Sequence, residues 1–349
     1  MFGGGAADRF LTCHPPARHY PHPMLPLASL RIGHAHSSTA RTGTTVLVLG
    51  SAHPCAVDVR GGAPGTREVP ALSLGGLISS ADAITLSGGS VYGLAAADEV
   101  TAWLGARGQG YHIHSDAPRS PVVGGAILFD NLNGGSKAWG EDPPFRRLAQ
   151  QALGKLSRDV TEGAVGAGYG ATAGTHPGGL GYASEAVGPH TVASLVAANP
   201  VGSPFLPGTA KRGQGVPWAW PWEVDGEFGG RRPAPDWQLS PATDTKLGHL
   251  SGAGAATVIG VVMTDAELTQ GQLHRLAVSA HDGIAMSVQP SHTPLDGDTL
   301  FALGARPGEG AGPLPEPAPR ALARLGAAAA RTTARALTRG VLEGISHWS

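Results

Sequence analysis

"SGAGAATVIGVVMTD", residues 251–265, sets a stretch almost without side chains directly against an apolar run. From Val258 onward, β-branched and apolar residues follow one another without a charged break, which reads as a buried strand. Thr257 stands at the junction. Taken alone, it is an ordinary threonine at a strand start. The second reading makes it a nucleophile. A hydroxyl is weak at neutral pH unless a base lies beside it. Cutting the Ala256–Thr257 bond would give Thr257 a free α-amine of pKa about 8, within reach of its own Oγ. The small residues before it leave room for the backbone to bend there.

Working outward, residues 264–285 predict a helix. Thr264 and Glu267 have the spacing of a capping box, and Leu268, Leu273, Leu276, Ala280 and Ile284 form one apolar face. "HTPLDGDTLFAL", 292–303, is a turn running into a strand. A Pro-rich linker and a closing helix near 319–345 follow. Upstream, "TGTTVLVLG" (42–50), the start of "AVDVRGG", "SPVVGGAILFDN" (120–131) and "HTVASLVAANPVG" (190–202) read as strands. "DAITLSGGSVYGLAAADEVTAWLGARG" reads as strand, glycine turn and helix, and residues 144–158 as helix. The alternating small residues of 163–174 fit a closely packed strand. Residues 203–247 read as loop and 1–27 as an irregular arm. Partial alternation of strands and helices predicts a layered α/β domain over 28–349.

Composition narrows the function. A formal net charge of −1 across 349 residues offers no basic surface for nucleic acid and no charged face for a membrane. No apolar run approaches the roughly 20 residues that span a bilayer. Cys13 and Cys55 make neither a disulfide framework nor a zinc pattern. The first residues lack the apolar core of a signal peptide, so a cytoplasmic protein is expected. There is no G-x-S-x-G, P-loop, G-x-G-x-x-G or H-E-x-x-H. The pairs His34/His36 and His112/His114 lack accompanying carboxylates or cysteines, and are read as surface or core histidines.

The stretches "GAATVIGVVMTDAELTQGQLHRLAVSAHDGI" and "HTPLDGDTLFAL" resemble peptidase family S58, the self-processing aminopeptidases of the DmpA type, which include nylon-oligomer hydrolases. "VDVRGGAPGTRE", "LSGGSVYGLAAADEV", "GGLGYAS", "AANPVG" and "DGEFGG" match in the same order, so the resemblance covers about residues 28–345. It implies an αββα four-layer sandwich, of the type shared with ornithine acetyltransferases. It implies autocleavage between Ala256 and Thr257, giving segments 28–256 and 257–349 with Thr257 as N-terminal nucleophile. Asn199 carries over as a residue near the nucleophile and the oxyanion. Asp296 and Asp298 carry over as carboxylates that orient Thr257. Read from the residues alone, Asn199 is an Asn-Pro turn residue and Asp296 and Asp298 make a D-G turn. Gly88 and Gly89 are expected at a sheet end near a substrate, where a strand-to-helix turn explains them equally.

Two positions depart from the family. Its lysine near "GGLG" has no counterpart, since no lysine lies between Lys155 and Lys211; Thr175, His176 and Pro177 fill that place. Its site aromatic, often Tyr, is Phe129 here. Either the charge is lost or His176 partly replaces it. The resemblance therefore implies an amide hydrolase for short peptides, amino-acid amides or amide oligomers. It needs no metal or organic cofactor and forms a homo-oligomer of four or more chains. A non-catalytic binding or structural protein and an acyltransferase are the alternatives.

Overall fold

Side chains alternate along a strand, so a strand covered on both faces feeds two separate cores. The computed structural model describes residues 25–210, 215–248, 256–315 and 318–348. Most of the expected arm over 1–27, and the Gly/Ala stretch 251–255, lie outside them. The principal strands are β1 (Arg31–Ser37), β2 (Thr42–Val59), β3 (Ser80–Ser87) and β4 (Val123–Ile127). They continue with β5 (Gly179–Val187), β6 (His190–Asn199), β7 (Thr257–Thr264) and β8 (Thr299–Leu303). The helices are α1 (Ala95–Gly105), α2 (Phe145–Leu153), α3 (Gln270–Ala285) and α4 (Ala318–Trp348).

Strand β2 belongs to both sheets. Its first half pairs with β1 and β3, its second half with β8, and the β2–β3 register shifts between Val48 and His53. The first sheet runs β4–β3–β2, with β1 also on β2; the second runs β2–β8–β7–β6–β5. Strands β7 and β8 are parallel, whereas β7 and β6 are antiparallel.

Alternation then builds the layers. Leu47, Ile84, Leu195, Ile259 and Phe301 pack between the sheets. Val46 and Ala83 face Val100 of α1 and Leu148 of α2. Val196, Val258 and Leu300 face Leu276 of α3 and Leu337 of α4. The result is the αββα sandwich that the resemblance implies. No described helix is long and apolar enough to cross a membrane.

Three local readings differ from the structure. The strand read at 42–50 continues to Val59. Helix α3 is capped by Thr269, whose side chain and Gln272 form the capping box, while Ala266–Glu267 is a short strand. A Gln at the third helical position serves the box as well as a Glu. Within 163–174, residues Gly166–Gly168 form a 3-10 turn instead of a strand, with Gly163 and Gly166 at positive φ.

Helix α4 packs closely on β5 through glycines. A Cβ on Gly181 would lie 2.0 Å from the Ala336 carbonyl oxygen, and one on Gly340 2.8 Å from the Gly181 nitrogen. Arg335 and Arg339 of the same helix both reach Glu227 of the "DGEFGG" stretch, at 3.1 and 3.2 Å. Gly340→Ala is therefore expected to destabilise by about 1–3 kcal/mol through overpacking. Gly271→Ala, where a Cβ meets nothing within 4 Å, should stabilise by up to about 1 kcal/mol through helix propensity. Paired denaturant titrations of the two variants check both signs.

Candidate active site

Thr257 opens β7 and shares the strand face of Ile259 and Val261, directed between the two sheets. Asn199 ends β6 directly opposite it in the antiparallel register. Both are buried, at 2% and 0% exposure. Ala256 forms a parallel bridge with Asp296, which brings the D-G-D turn against the Ala256–Thr257 peptide. The Thr257 hydroxyl donates to the Ala256 carbonyl oxygen. That oxygen also accepts the Gly297 N–H at 3.1 Å. Residue 297 has to be glycine, since a Cβ there would stand 2.9 Å from Thr257 Oγ1 and 2.6 Å from the Ala63 carbonyl oxygen.

The turn itself is tied down. Arg60 N–H donates to the Asp298 carbonyl at 2.9 Å, and Ala63 N–H to that of Asp296 at 2.8 Å. Asp298 Oδ1 accepts the Val258 N–H at 2.7 Å, so this carboxylate holds the residue after Thr257 by its backbone. Asp298 Oδ2 lies 2.7 Å from His292 Nδ1. Asp296 Oδ1 accepts the Val201 N–H at 3.0 Å, and its Oδ2 accepts the Thr293 N–H and hydroxyl at 2.9 and 2.6 Å. Burial, with the nearby Asp298 charge, raises the Asp296 carboxyl above the ordinary range.

The Asn199 amide is bonded at both ends. Its Nδ2 donates to the Phe129 carbonyl at 2.9 Å, a contact that crosses from one sheet to the other. Its Oδ1 accepts the Thr172 N–H at 2.9 Å and the Lys246 ammonium at 3.1 Å. Lys246 Nζ also donates to the Asn199 backbone carbonyl at 2.9 Å. Lys246 was not among the residues singled out in the sequence. It comes from the 203–247 loop, far in sequence from the "GGLG" segment near which the family lysine falls, and no periodicity marks it.

The remaining candidates have other partners. His176 Nε2 pairs with Asp244 Oδ2 at 2.8 Å, anchoring the segment that leads to Lys246. Gly88 and Gly89 end β3, where a Cβ would meet Asp130 Oδ2 at 2.2 Å and the Phe145 ring at 1.9 Å, respectively. Gly88 is thus required by packing on Asp130, the neighbour of Phe129, and Gly89 by the Phe145 ring and its positive φ. Among the described residues, no group of three His, Cys, Asp or Glu is placed to hold a metal ion.

A buried threonine thus opens a strand of the αββα sandwich, with its hydroxyl on the preceding carbonyl. Residues 26–346 match the profile of Peptidase family S58, and the chain belongs to that family. It is 39% identical over 312 residues to an uncharacterized aminopeptidase of Mycobacterium tuberculosis, covering 86% of this chain and 85% of the relative. It is 30% identical over 312 residues to a 6-aminohexanoate-oligomer endohydrolase of Agromyces sp., covering 87% and 80%. The fold matches that of the L-aminopeptidase D-Ala-esterase/amidase of Ochrobactrum anthropi with a TM-score of 0.63 at 19% identity, covering 92% and 88%. A Burkholderia sp. beta-aminopeptidase matches with a TM-score of 0.61 at 20% identity, covering 90% and 84%.

The histidines around Asp298 give a pH signature. Burial opposes a charge on His292, but the hydrogen bond and charge of Asp298 outweigh it and raise its pKa above 6.5. Burial pushes His281 down to about 4. A raised histidine stabilises the fold fully below its unfolded value near 6.5, and that contribution is lost as pH rises through the folded value. NMR titration of the ring resonances is expected to place the His292 midpoint above 6.5. Asp298→Asn should lower it, while His281 stays neutral throughout pH 5–8.

Proposed function

We propose that this protein is a self-processing N-terminal-nucleophile amidohydrolase. The observation that carries the reading is the Thr257 hydroxyl set on the Ala256 carbonyl, whose oxygen is held by the Gly297 N–H. In the first reaction Thr257 Oγ attacks the Ala256 carbonyl carbon. The Oγ proton passes to the Thr257 nitrogen, the C–N bond breaks and an ester forms. Water then hydrolyses the ester, leaving an Ala256 carboxylate and a free Thr257 α-amine. That amine is the base the hydroxyl lacked.

In the mature protein, Thr257 Oγ attacks a substrate amide while its own α-amine takes the proton and returns it to the leaving nitrogen. Water releases the acyl group. Departure of the Ala256 carbonyl frees the Gly297 N–H, which with Asn199 Nδ2 offers donors to the next oxyanion. Asp298 steadies the nucleophile through the Val258 N–H, and Asp296 holds the turn. The names of the relatives, aminopeptidase and 6-aminohexanoate-oligomer endohydrolase, support short peptides, amino-acid amides or linear amide oligomers as substrates. Assembly as a homo-oligomer belongs to the same proposal.

Intact mass spectrometry of the purified protein tests it. The wild type is expected as two fragments divided at 256/257, and Thr257→Ala as one uncut chain. Gly297→Ala should also stay uncut or cut at least about 100-fold more slowly, because its methyl displaces Oγ1 and the turn. An uncut wild type after prolonged incubation would overturn the mechanism.

A further inference from the structure

We infer that Lys246 is a positioning residue for the oxyanion site, its ammonium locking the Asn199 amide so that one Nδ2 hydrogen is left for the reacting carbonyl. The inference rests on the reading of Thr257 as nucleophile.

Asn199 Oδ1 faces the Thr172 N–H, the Thr172 hydroxyl at 3.3 Å and the Lys246 ammonium. Neither a peptide N–H nor an ammonium can accept a hydrogen bond. Turning the amide over would set its NH₂ against the peptide N–H and the ammonium, with only the Thr172 hydroxyl able to accept, and leave the Phe129 carbonyl facing an oxygen. The Nδ2 end is therefore fixed. One of its hydrogens goes to Phe129 O at 2.9 Å, and the other remains for a ligand. A second contact, from Nζ to the Asn199 backbone carbonyl at 2.9 Å, makes Lys246 a clamp on the whole residue opposite Thr257.

The lysine is also delivered with care. Its own N–H donates to the Val201 carbonyl at 2.9 Å, just past the end of β6. Two residues upstream, the Asp244 carbonyl accepts the Thr175 N–H at 3.0 Å, and its carboxylate accepts the Ser203 hydroxyl at 2.6 Å and meets His176 at 2.8 Å. Burying an ammonium is costly unless hydrogen bonds and opposite charge offset the loss of water. Here the hydrogen bonds are to Asn199, and the charges are Asp296 from the turn before β8 and Asp130 after β4. The Asp244–His176 pair is the other titratable group near it on its own segment. Burial nevertheless dominates and lowers the Lys246 pKa to about 7. Above that pH the neutral amine has lost one of its three N–H donors and the charge that strengthens its bonds to Asn199, so the clamp on the amide weakens.

The test uses the self-processed protein and a panel of p-nitroanilides of L-alanine, β-alanine and 6-aminohexanoate. Cleavage of the wild type at 256/257 reports on the underlying reading separately. On the p-nitroanilide that the wild type hydrolyses best, Lys246→Met is expected to lower kcat by about 100-fold with KM changed less than about threefold. The wild-type kcat is expected to fall as pH rises through the Lys246 value of about 7, and the variant to lack that fall. A cleaved Lys246→Met with wild-type kcat and pH profile, or with a loss confined to KM, would overturn the inference. If that variant does not fold or cut, the wild-type Asn199 side-chain amide resonances decide. Movement between pH 6 and 8 supports the clamp, and no movement overturns it.

Discussion

The register between β6, β7 and β8 is the constraint on which the site depends. Strand β7 is held on one side by β6, which sets Thr257 opposite Asn199, and on the other by β8, whose approach sets Asp296 beside Ala256. A slip of one residue would turn Thr257 away from the space between the sheets and present Ala256 or Val258 in its place. The apolar faces forbid that slip. Ile259, Val261 and Met263 fill the central core, while Val258 and Val262 pack beneath α3 and α4. The hydrophobic energy of two cores thus aligns one hydroxyl with one carbonyl.

Around that alignment, buried polar groups are satisfied chiefly by backbone. Asp298 takes the Val258 N–H, Asp296 takes those of Val201 and Thr293, and Asn199 joins Thr172 to Phe129. In a poorly solvated pocket such bonds are strong and an unmade one is costly. The same bonding explains why the site tolerates buried groups of both signs at close quarters, with Asp130 and Asp296 near Lys246 and Asp298 near Asp296. It also explains why Lys246, entering from a loop, is placed by four contacts on its own segment before it reaches Asn199.

Much of the architecture was legible in the residues. Strands buried on both faces appear as continuous apolar runs, and the helices as single apolar stripes, so most element types among the described residues follow from period and turn chemistry. Differences arose where glycine dominates. The small residues of 163–174 alternate like a strand, yet positive φ at Gly163 and Gly166 makes them turn. The continuation of β2 across Pro54 was hidden because the bend that carries it from one sheet to the other looks like a loop. At the site, Thr257 stood out by its position before a buried run. Asn199, Asp296 and Asp298 were marked only by resemblance, because an Asn-Pro and a D-G-D turn have ordinary explanations.

What the sequence by itself determined is the layered α/β class, the strand that begins at Thr257 and the family to which both belong. These are encoded in local patterns and in the order of motifs along the chain. The tertiary structure alone decided which groups meet. Gly297 lies forty residues beyond Thr257, and Lys246 forty-seven beyond Asn199, with nothing in their neighbourhoods to link them. Their convergence follows from strand pairing and loop anchoring, which are long-range interactions that no local period records.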